Sequence, residues 1–563
     1  MILPFPAAAL GVAAKRSFGC KAAVRLLVAL AAGQLFAAGS ASAASAGREH
    51  SLPRIVQKDG RYALLVDDAP YLVLGAQVNN SSGWPAMLPK VWPAIEYMHA
   101  NTVEIPVYWE QFEPSPGTYD YSIVDTLLTE ARAHHLHLIL LWFATWKNGN
   151  AHYMPAWMKT APQTYPQVVD ANGRPVDSAS PLAPATLEAD TNAFTALMRH
   201  LKAVDPERTV IMMQVENESG VYGVTRDYSP AAEKLFRAPV PREVLDAMRA
   251  TVSGTAPTAP TWQEAFGPEA EVNFHAWAVA SFIGRVAAAG KAVYPLPMFA
   301  NVALRDPLPP APAGTYESGG PTDNVLAIWK AAAPALDVLA PDIYQNDSAR
   351  YRKALELYAR PDNPLLVPET GGPAGYPRLC FAALGRGAIG WAPFGLDYTS
   401  YSTEPQGMPR VAEAALAPII LNYQMLQPIM REAARLNFEG KLQAVAEEQG
   451  QARQTMDFGN WKAVVTFGAG GRNNATTGNP NPIGRALVAK LGENEFLVTV
   501  AYGKIDFTPS AAVAHRDFLR VEEGGYENGV FRPIRIWNGD ETDYGGLSFY
   551  AAPQVLRVLL GTY

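Results

Sequence analysis

Cysteine is nearly absent from this chain, with only Cys20 and Cys380 among 563 residues. That excludes a disulfide framework or a Cys-based zinc cluster as the source of stability, so ordinary core packing must supply it. Histidine is scarce too: nine residues and no His-Glu-x-x-His run. His152 and His275 lack metal-ligand spacing and read as satisfied structural side chains, and no metal or other cofactor is expected. Basic charge is not in excess, with 46 Lys and Arg against 53 Asp and Glu. This balance argues against nucleic acid or an anionic membrane as partner. Gly371-Gly372 has none of the surroundings of a phosphate loop.

Long hydrophobic runs are missing as well. The apolar stretch Leu26 to Ala38 is too short to span a bilayer stably. It follows Lys15, Arg16, Lys21 and Arg25 and precedes Ala41-Ser-Ala43, the small-x-small form of a signal-peptidase site. Residues 1–43 are therefore expected to be a signal peptide, and the protein periplasmic or secreted. Cleavage there removes four basic and no acidic residues, for a mature net charge of −11. Cys380 then stands alone, and no cysteine remains near the cleavage point for a lipid anchor, so no membrane attachment is expected afterwards.

What the chain does have is aromatic and aliphatic core material: 48% hydrophobic residues, 12 Trp and 24 Tyr. From about residue 70 to 394 short apolar runs alternate with amphipathic helical stretches, the pattern of repeated βα units. Eight strand candidates stand out: Tyr71–Val78, Thr102–Trp109, Leu136–Phe143, Val210–Val215, Leu296–Asn301, Leu336–Ile343, Pro364–Val367 and Gly387–Trp391. The fold class expected is α/β, a (β/α)8 TIM barrel over residues 44–425 with its site at the strand C-termini. Insertions at 151–191 and 221–260 interrupt it. After about residue 440, short strands with Gly, Asn and Asp turns predict a smaller C-terminal antiparallel β-sandwich, residues 426–563. The Gly/Asn-rich stretch 472–481 is expected to be a mobile loop.

Two acids dominate the functional reading. Glu218 stands in Gln214-Val-Glu-Asn-Glu-Ser219 and Glu369 in Leu366-Val-Pro-Glu-Thr-Gly-Gly372, each just after a short apolar run. That is where an acid stands at the C-terminal end of a buried parallel strand. Such a pair suits retaining glycoside hydrolysis, with Glu218 as acid/base and Glu369 as nucleophile. Asn217, on the same strand end, offers an amide to a sugar hydroxyl. Tyr344, ending the sixth strand candidate, is placed to hold Glu369.

The run Gln214-Val-Glu-Asn-Glu218 resembles the acid/base signature of family 35 glycoside hydrolases, the β-galactosidases. Glu113-Pro-Ser-Pro-Gly-Thr-Tyr-Asp120 and Pro155-Ala-Trp157 are similar to that family's segments after the second and third barrel strands. The resemblance spans roughly residues 72–397. It implies a βα barrel, exo-cleavage of terminal β-galactose, and catalytic acids after strands four and seven. The chain departs from better-known members in carrying Ala144-Thr-Trp146 where they have Ala-Glu-Trp, and Trp109-Glu110 where they have Trp-Asn. The segment Trp142-Phe-Ala-Thr-Trp-Lys-Asn-Gly149 resembles a bacterial branch with a C-terminal β-domain of unassigned role. That branch implies plant cell-wall side chains, such as those of xyloglucan, as substrate.

Further substrate contacts are expected from Trp146 as a stacking face, from Lys147 and Asn148 on sugar hydroxyls, and from Glu110, Asn79 and Trp391 at strand ends. Glu110 reads alternatively as a buried salt-bridge partner. Two rivals stay open: the same chemistry on β-glucose, β-xylose or α-L-arabinose, and a catalytically silent glycan-binding protein. The expected partner is a β-galactoside; oligomeric state is left open, a homodimer included.

Overall fold

The computed structural model describes residues 50–250, 258–372, 374–399, 413–468, 478–512, 515–543 and 545–563. The expected signal segment and most of stretch 472–481 lie outside these residues. Eight parallel strands form the larger region: β1 Val73–Gln77, β2 Thr102–Tyr108, β3 His137–Lys147, β4 Val210–Asn217, β5 Met298–Ala303, β6 Val338–Ile343, β7 and β8 Gly390–Trp391. Strand β7 comes in two pieces, Leu366–Val367 and Glu369–Thr370, because Pro368 has no N–H to give the ladder. The first piece pairs with β8 and the second with β6, while β8 pairs with β1. The sheet therefore closes through β7 into a TIM barrel.

Side-chain alternation decides what faces where. In β3, Leu138, Leu140 and Trp142 join the layer under the helices, while Ile139, Leu141 and Phe143 fill the barrel. In β2, Val103, Ile105 and Val107 point outward, so Glu104 points in. The barrel interior is apolar at its N-terminal end, where Val73, Ile211, Phe299, Val338 and Leu366 meet. A three-stranded antiparallel sheet, Arg54–Lys58, Arg61–Val66 and Ala69–Tyr71, adds Leu64, Val66 and Tyr71 to that cluster. The polar inward residues collect at the opposite, C-terminal end, which leaves one face of the barrel for chemistry.

Insertion 151–191 carries a short helix, Ala156–Lys159, and a hairpin of Gln167–Val169 with Pro175–Ala179. Two of the segments that carry the family resemblance touch there. Glu113 accepts from Trp109 Nε1 (2.8 Å) and from the Gly117 amide (2.7 Å), and its carbonyl accepts from Trp157 Nε1 (3.2 Å).

The C-terminal region holds a six-stranded and a four-stranded antiparallel sheet. They enclose a separate core that includes Trp461, Phe467, Phe496, Val498, Phe507 and Leu556. The larger sheet also packs on the barrel helices through Leu442, Ala444, Ala446 and Leu487. At that contact a Cβ on Gly385 would strike the carbonyl of Ala444. Arg352 and Ser348 both bond Glu448 across it, at 2.5 and 2.8 Å. Strand Arg516–Glu527 escaped the sequence reading: its charged residues and Gly524-Gly525 hide the period-two pattern.

Candidate active site

The C-terminal ends of β3, β4, β6 and β7 bring Lys147, Glu218, Asp342 and Glu369 together. Carboxylate oxygens of Glu218, Asp342 and Glu369 lie within 4.8 Å of one another, all three residues buried. Asp342 and Glu369 are register partners on adjacent strands, which fixes their approach by backbone geometry.

Glu218 sits where β4 ends in an unusual conformation. Glu216 and Glu218 both have positive φ, 64° and 43°, which costs energy for residues with a Cβ and persists only where surrounding bonds enforce it. The enforcing bonds are present. Gln214 Nε2 donates to the Glu216 carbonyl (2.9 Å), and the Gly149 amide to the Glu218 carbonyl (2.9 Å). The Glu218 amide donates to Asn301 Oδ1 (3.1 Å). Burial, followed by the charge of Glu369, pushes the Glu218 carboxyl up to about 8, with Lys147 pulling the other way.

Glu369 is held by two donors on its two oxygens. Tyr344 Oη donates to Oε1 at 2.5 Å and Gln77 Nε2 to Oε2 at 2.9 Å. Burial, then the charge of Glu369, keeps the Tyr344 hydroxyl protonated well above its ordinary range. Asn217 is buried with its amide between Gln214 Nε2 and Lys147 Nζ, each at 3.0 Å. Lys147 is itself buried, its ammonium 5.1 Å from the Phe143 ring centroid.

The remaining sequence candidates fall elsewhere, and three expectations are corrected. Trp146 offers no stacking face: it is fully buried, its Nε1 on Ser178 Oγ (3.1 Å) and its ring edge-on to Phe282. Strand alternation turns it toward the helices. Trp391 is likewise enclosed in the helix layer, its Nε1 on Tyr351 Oη (3.0 Å). Glu110 is an exposed rim residue 3.4 Å from Lys159, neither buried nor among the acids. Asn79 is buried, with its backbone N–H (2.8 Å) and Nδ2 (3.1 Å) both donating to Asp397. Asn148 is exposed on the loop whose Gly149 bonds Glu218. His275 is not the satisfied side chain expected: it is buried with neither ring nitrogen bonded to protein, and burial lowers its pKa to about 4. His152 pairs with Asp177 at the surface.

An exposed ring on the C-terminal side is Trp84, 44% accessible, stacked on Tyr108. Beside the Lys147–Asn150 turn, insertion 151–191 frames a cavity of about 610 Å³ lined by His152, Lys159, Tyr165, Gln167 and Asp177 among others.

Sequence reasoning missed Gln77, Glu104, Asn301 and Asp342. Each is a polar residue inside an apolar strand, and counting inward positions from the strand ends would have found them. Burial, then the charge of Glu369, raises the Glu104 carboxyl well above its ordinary range. Both its oxygens and Gln77 Oε1 lack partners, and the two residues are register neighbours. Register pairing sets Glu104 beside Gln77, whose Nε2 donates to Glu369, and a carboxyl proton is the kind of donor that Gln77 Oε1 lacks. Glu104→Gln is therefore expected to keep kcat within a few-fold, since its amide donates too. Glu104→Leu should lower kcat between about ten- and a hundredfold by misplacing Glu369. Equal kcat in the two variants contradicts this role.

The acid trio is also the one group among the described residues whose spacing would suit a divalent cation. Its chemistry fits protons better: Glu369 already accepts from two donors, and the Lys147 ammonium supplies positive charge.

Residues 87–247 match the glycoside hydrolase 42 family model, described as beta-galactosidase, and residues 420–547 match a domain of unknown function, DUF5597. Beta-galactosidase 10 of Arabidopsis thaliana is 27% identical over 181 residues, 31% of this chain and 22% of that protein. The chain thus spans under a quarter of the length of that curated relative. Among solved structures, the beta-galactosidase from Bacillus circulans sp. alkalophilus has a TM-score of 0.47 at 14% identity, covering 64% of this chain and 57% of its own. The catalytic domain of a beta-amylase from Paenibacillus polymyxa has a TM-score of 0.42 at 14% identity, covering 57% and 91%. Part of the barrel is thus similar to β-galactosidases, and the C-terminal region matches a further domain; the matching model is family 42, where the sequence motif resembles family 35.

Proposed function

We propose that this chain is a retaining exo-glycosidase that releases terminal β-D-galactose, with Glu369 as nucleophile and Glu218 as acid/base. The observation that carries the reading is the approach of the two carboxylates to within 4.8 Å. Retaining enzymes separate these groups by about 5–5.5 Å, whereas inverting ones leave about 6.5–9.5 Å for a water. In the first step Glu369 attacks the anomeric carbon while Glu218 gives its proton to the departing oxygen. In the second, Glu218 takes a proton from water, which attacks the anomeric carbon and releases Glu369. Asn217, beside Glu218 and Lys147, faces the sugar 2-hydroxyl, a contact that strengthens as positive charge develops on the ring.

Galactose is favoured over the rival sugars by the family 42 match and by the family 35 motif at Gln214–Glu218. The polymer we assign is a galactosylated plant cell-wall glycan such as xyloglucan, its remaining chain directed toward Trp84 and the insertion cavity. We assign export to residues 1–43; the secreted protein is expected to have a mass that begins near residue 44, and an uncut N-terminus overturns this.

A panel of aryl β-D-galactoside, β-D-glucoside, β-D-xyloside and α-L-arabinoside tests the assignment. The galactoside is expected to have the highest kcat/KM, unchanged by chelator. A higher value on another sugar overturns the specificity, and loss of activity in chelator overturns the metal-free chemistry.

A further inference from the structure

The proposed mechanism uses two acids, but the cleft holds three. Asp342 is 2% exposed, and its Oδ2 accepts from Asn301 Nδ2 at 2.7 Å. Its Oδ1 is buried with no N–H or neutral O–H donor. A buried carboxylate oxygen left that way is costly. The groups that face it are few: Glu218 from β4, Glu369 from β7 and Lys147 from β3, with the Tyr344 and Tyr358 hydroxyls beyond. Glu317 reaches the cleft through Glu218, and Glu104 through Glu369. Lys147 offsets one negative charge of three. Two further negative charges within 4.8 Å, out of water, would repel strongly.

Only a carboxyl proton between Glu218 and Asp342 answers both the missing donor and the charge. Asn301 is built to hold that pair, since its Nδ2 donates to Asp342 and its Oδ1 accepts from the Glu218 amide. We propose that Asp342 is a positioning residue for the proton donor: it shares a proton with Glu218, so that three acids rather than two set the protonation of the cleft. This rests on the glycosidase reading for its consequence. Once Glu218 has passed the shared proton to the departing oxygen, both carboxylates carry charge, with the Lys147 ammonium beside them. Water then returns a proton to Glu218 in the second step, and the count is restored.

Burial and the neighbouring acids raise the Asp342 carboxyl well above its ordinary range, in keeping with this. Acids coupled this closely titrate as a pair, the last proton leaving late.

The test is Asp342→Asn in the full chain, which keeps shape and removes the titrating group. The alkaline limb of kcat/KM on an aryl β-galactoside is expected to move down by about one pH unit or more, with KM little changed. A merely structural residue would lower the plateau and leave the limb in place, and that result overturns the proposal. Should the variant fail to fold, infrared difference spectra of the wild type decide. A buried carboxylic C=O band whose loss in the alkaline titration changes two carboxylate bands together supports the shared proton, and a loss that changes one carboxylate band alone overturns it. If the wild type hydrolyses no glycoside at all, the functional reading fails while the infrared result still tests the shared proton.

Discussion

Glu218→Gln is expected to lose about 10²- to 10⁴-fold in kcat on glycosides with poor leaving groups, and far less in the first step with an activated aryl galactoside. The difference follows from the role: an activated group departs without a proton. Because burial and Glu369 push this carboxyl up to about 8, wild-type kcat/KM should fall as pH rises through that value. The limb should vanish in the variant. Stability carries the same signature with its own sign. Between the ordinary carboxylate range and about 8 the folded protein holds a proton that the unfolded chain releases, so stability declines as pH climbs. The variant escapes this decline, and its melting temperature should lose ground more slowly as pH rises from the ordinary carboxylate range toward about 8. Equal losses on both substrate types would remove Glu218 from the donor role.

Glu369→Ala should be more severe, at least about 10⁴-fold in kcat on every substrate, because the covalent route itself is gone. Its sharper readout is rescue. Azide occupying the vacated space should restore turnover of an activated β-galactoside and release the α-galactosyl azide. A β-azide product, or no rescue in a folded variant, contradicts the assignment. Tyr344 and Gln77, which hold the two oxygens, remain in place in this variant, so the loss reports the carboxylate and not its surroundings.

The barrel was legible because its strands are apolar runs broken by polar ends, and their order alone implied closure. Glu218 and Glu369 were legible for the same reason, as acids that interrupt strand ends. Tyr344, Asn217 and Lys147 followed from adjacency to those ends. Trp146 and Trp391 misled because a strand-end aromatic faces the cleft or the helices according to a one-residue shift, which motif reading ignores. In β4 a register irregularity and two positive φ values make that shift harder still to count. Glu104, Asn301 and Asp342 went unseen because a lone polar residue in an apolar run looks like noise until strand register shows which neighbours it meets. The N-terminal sheet that plugs the barrel was missed because strands of five, six and three residues carry too little period to separate from loop.

Everything mechanistic depends on a covalent bond between the sugar and one particular glutamate. The most direct measurement is incubation with a 2-deoxy-2-fluoro-β-galactosyl fluoride, followed by proteolysis and mass spectrometry of the peptides. The account predicts a stable one-to-one adduct on the peptide containing Glu369, formed as activity disappears. Inactivation with the label on any other residue, or steady turnover of a hydrolysable galactoside that yields the α-anomer first, would contradict it.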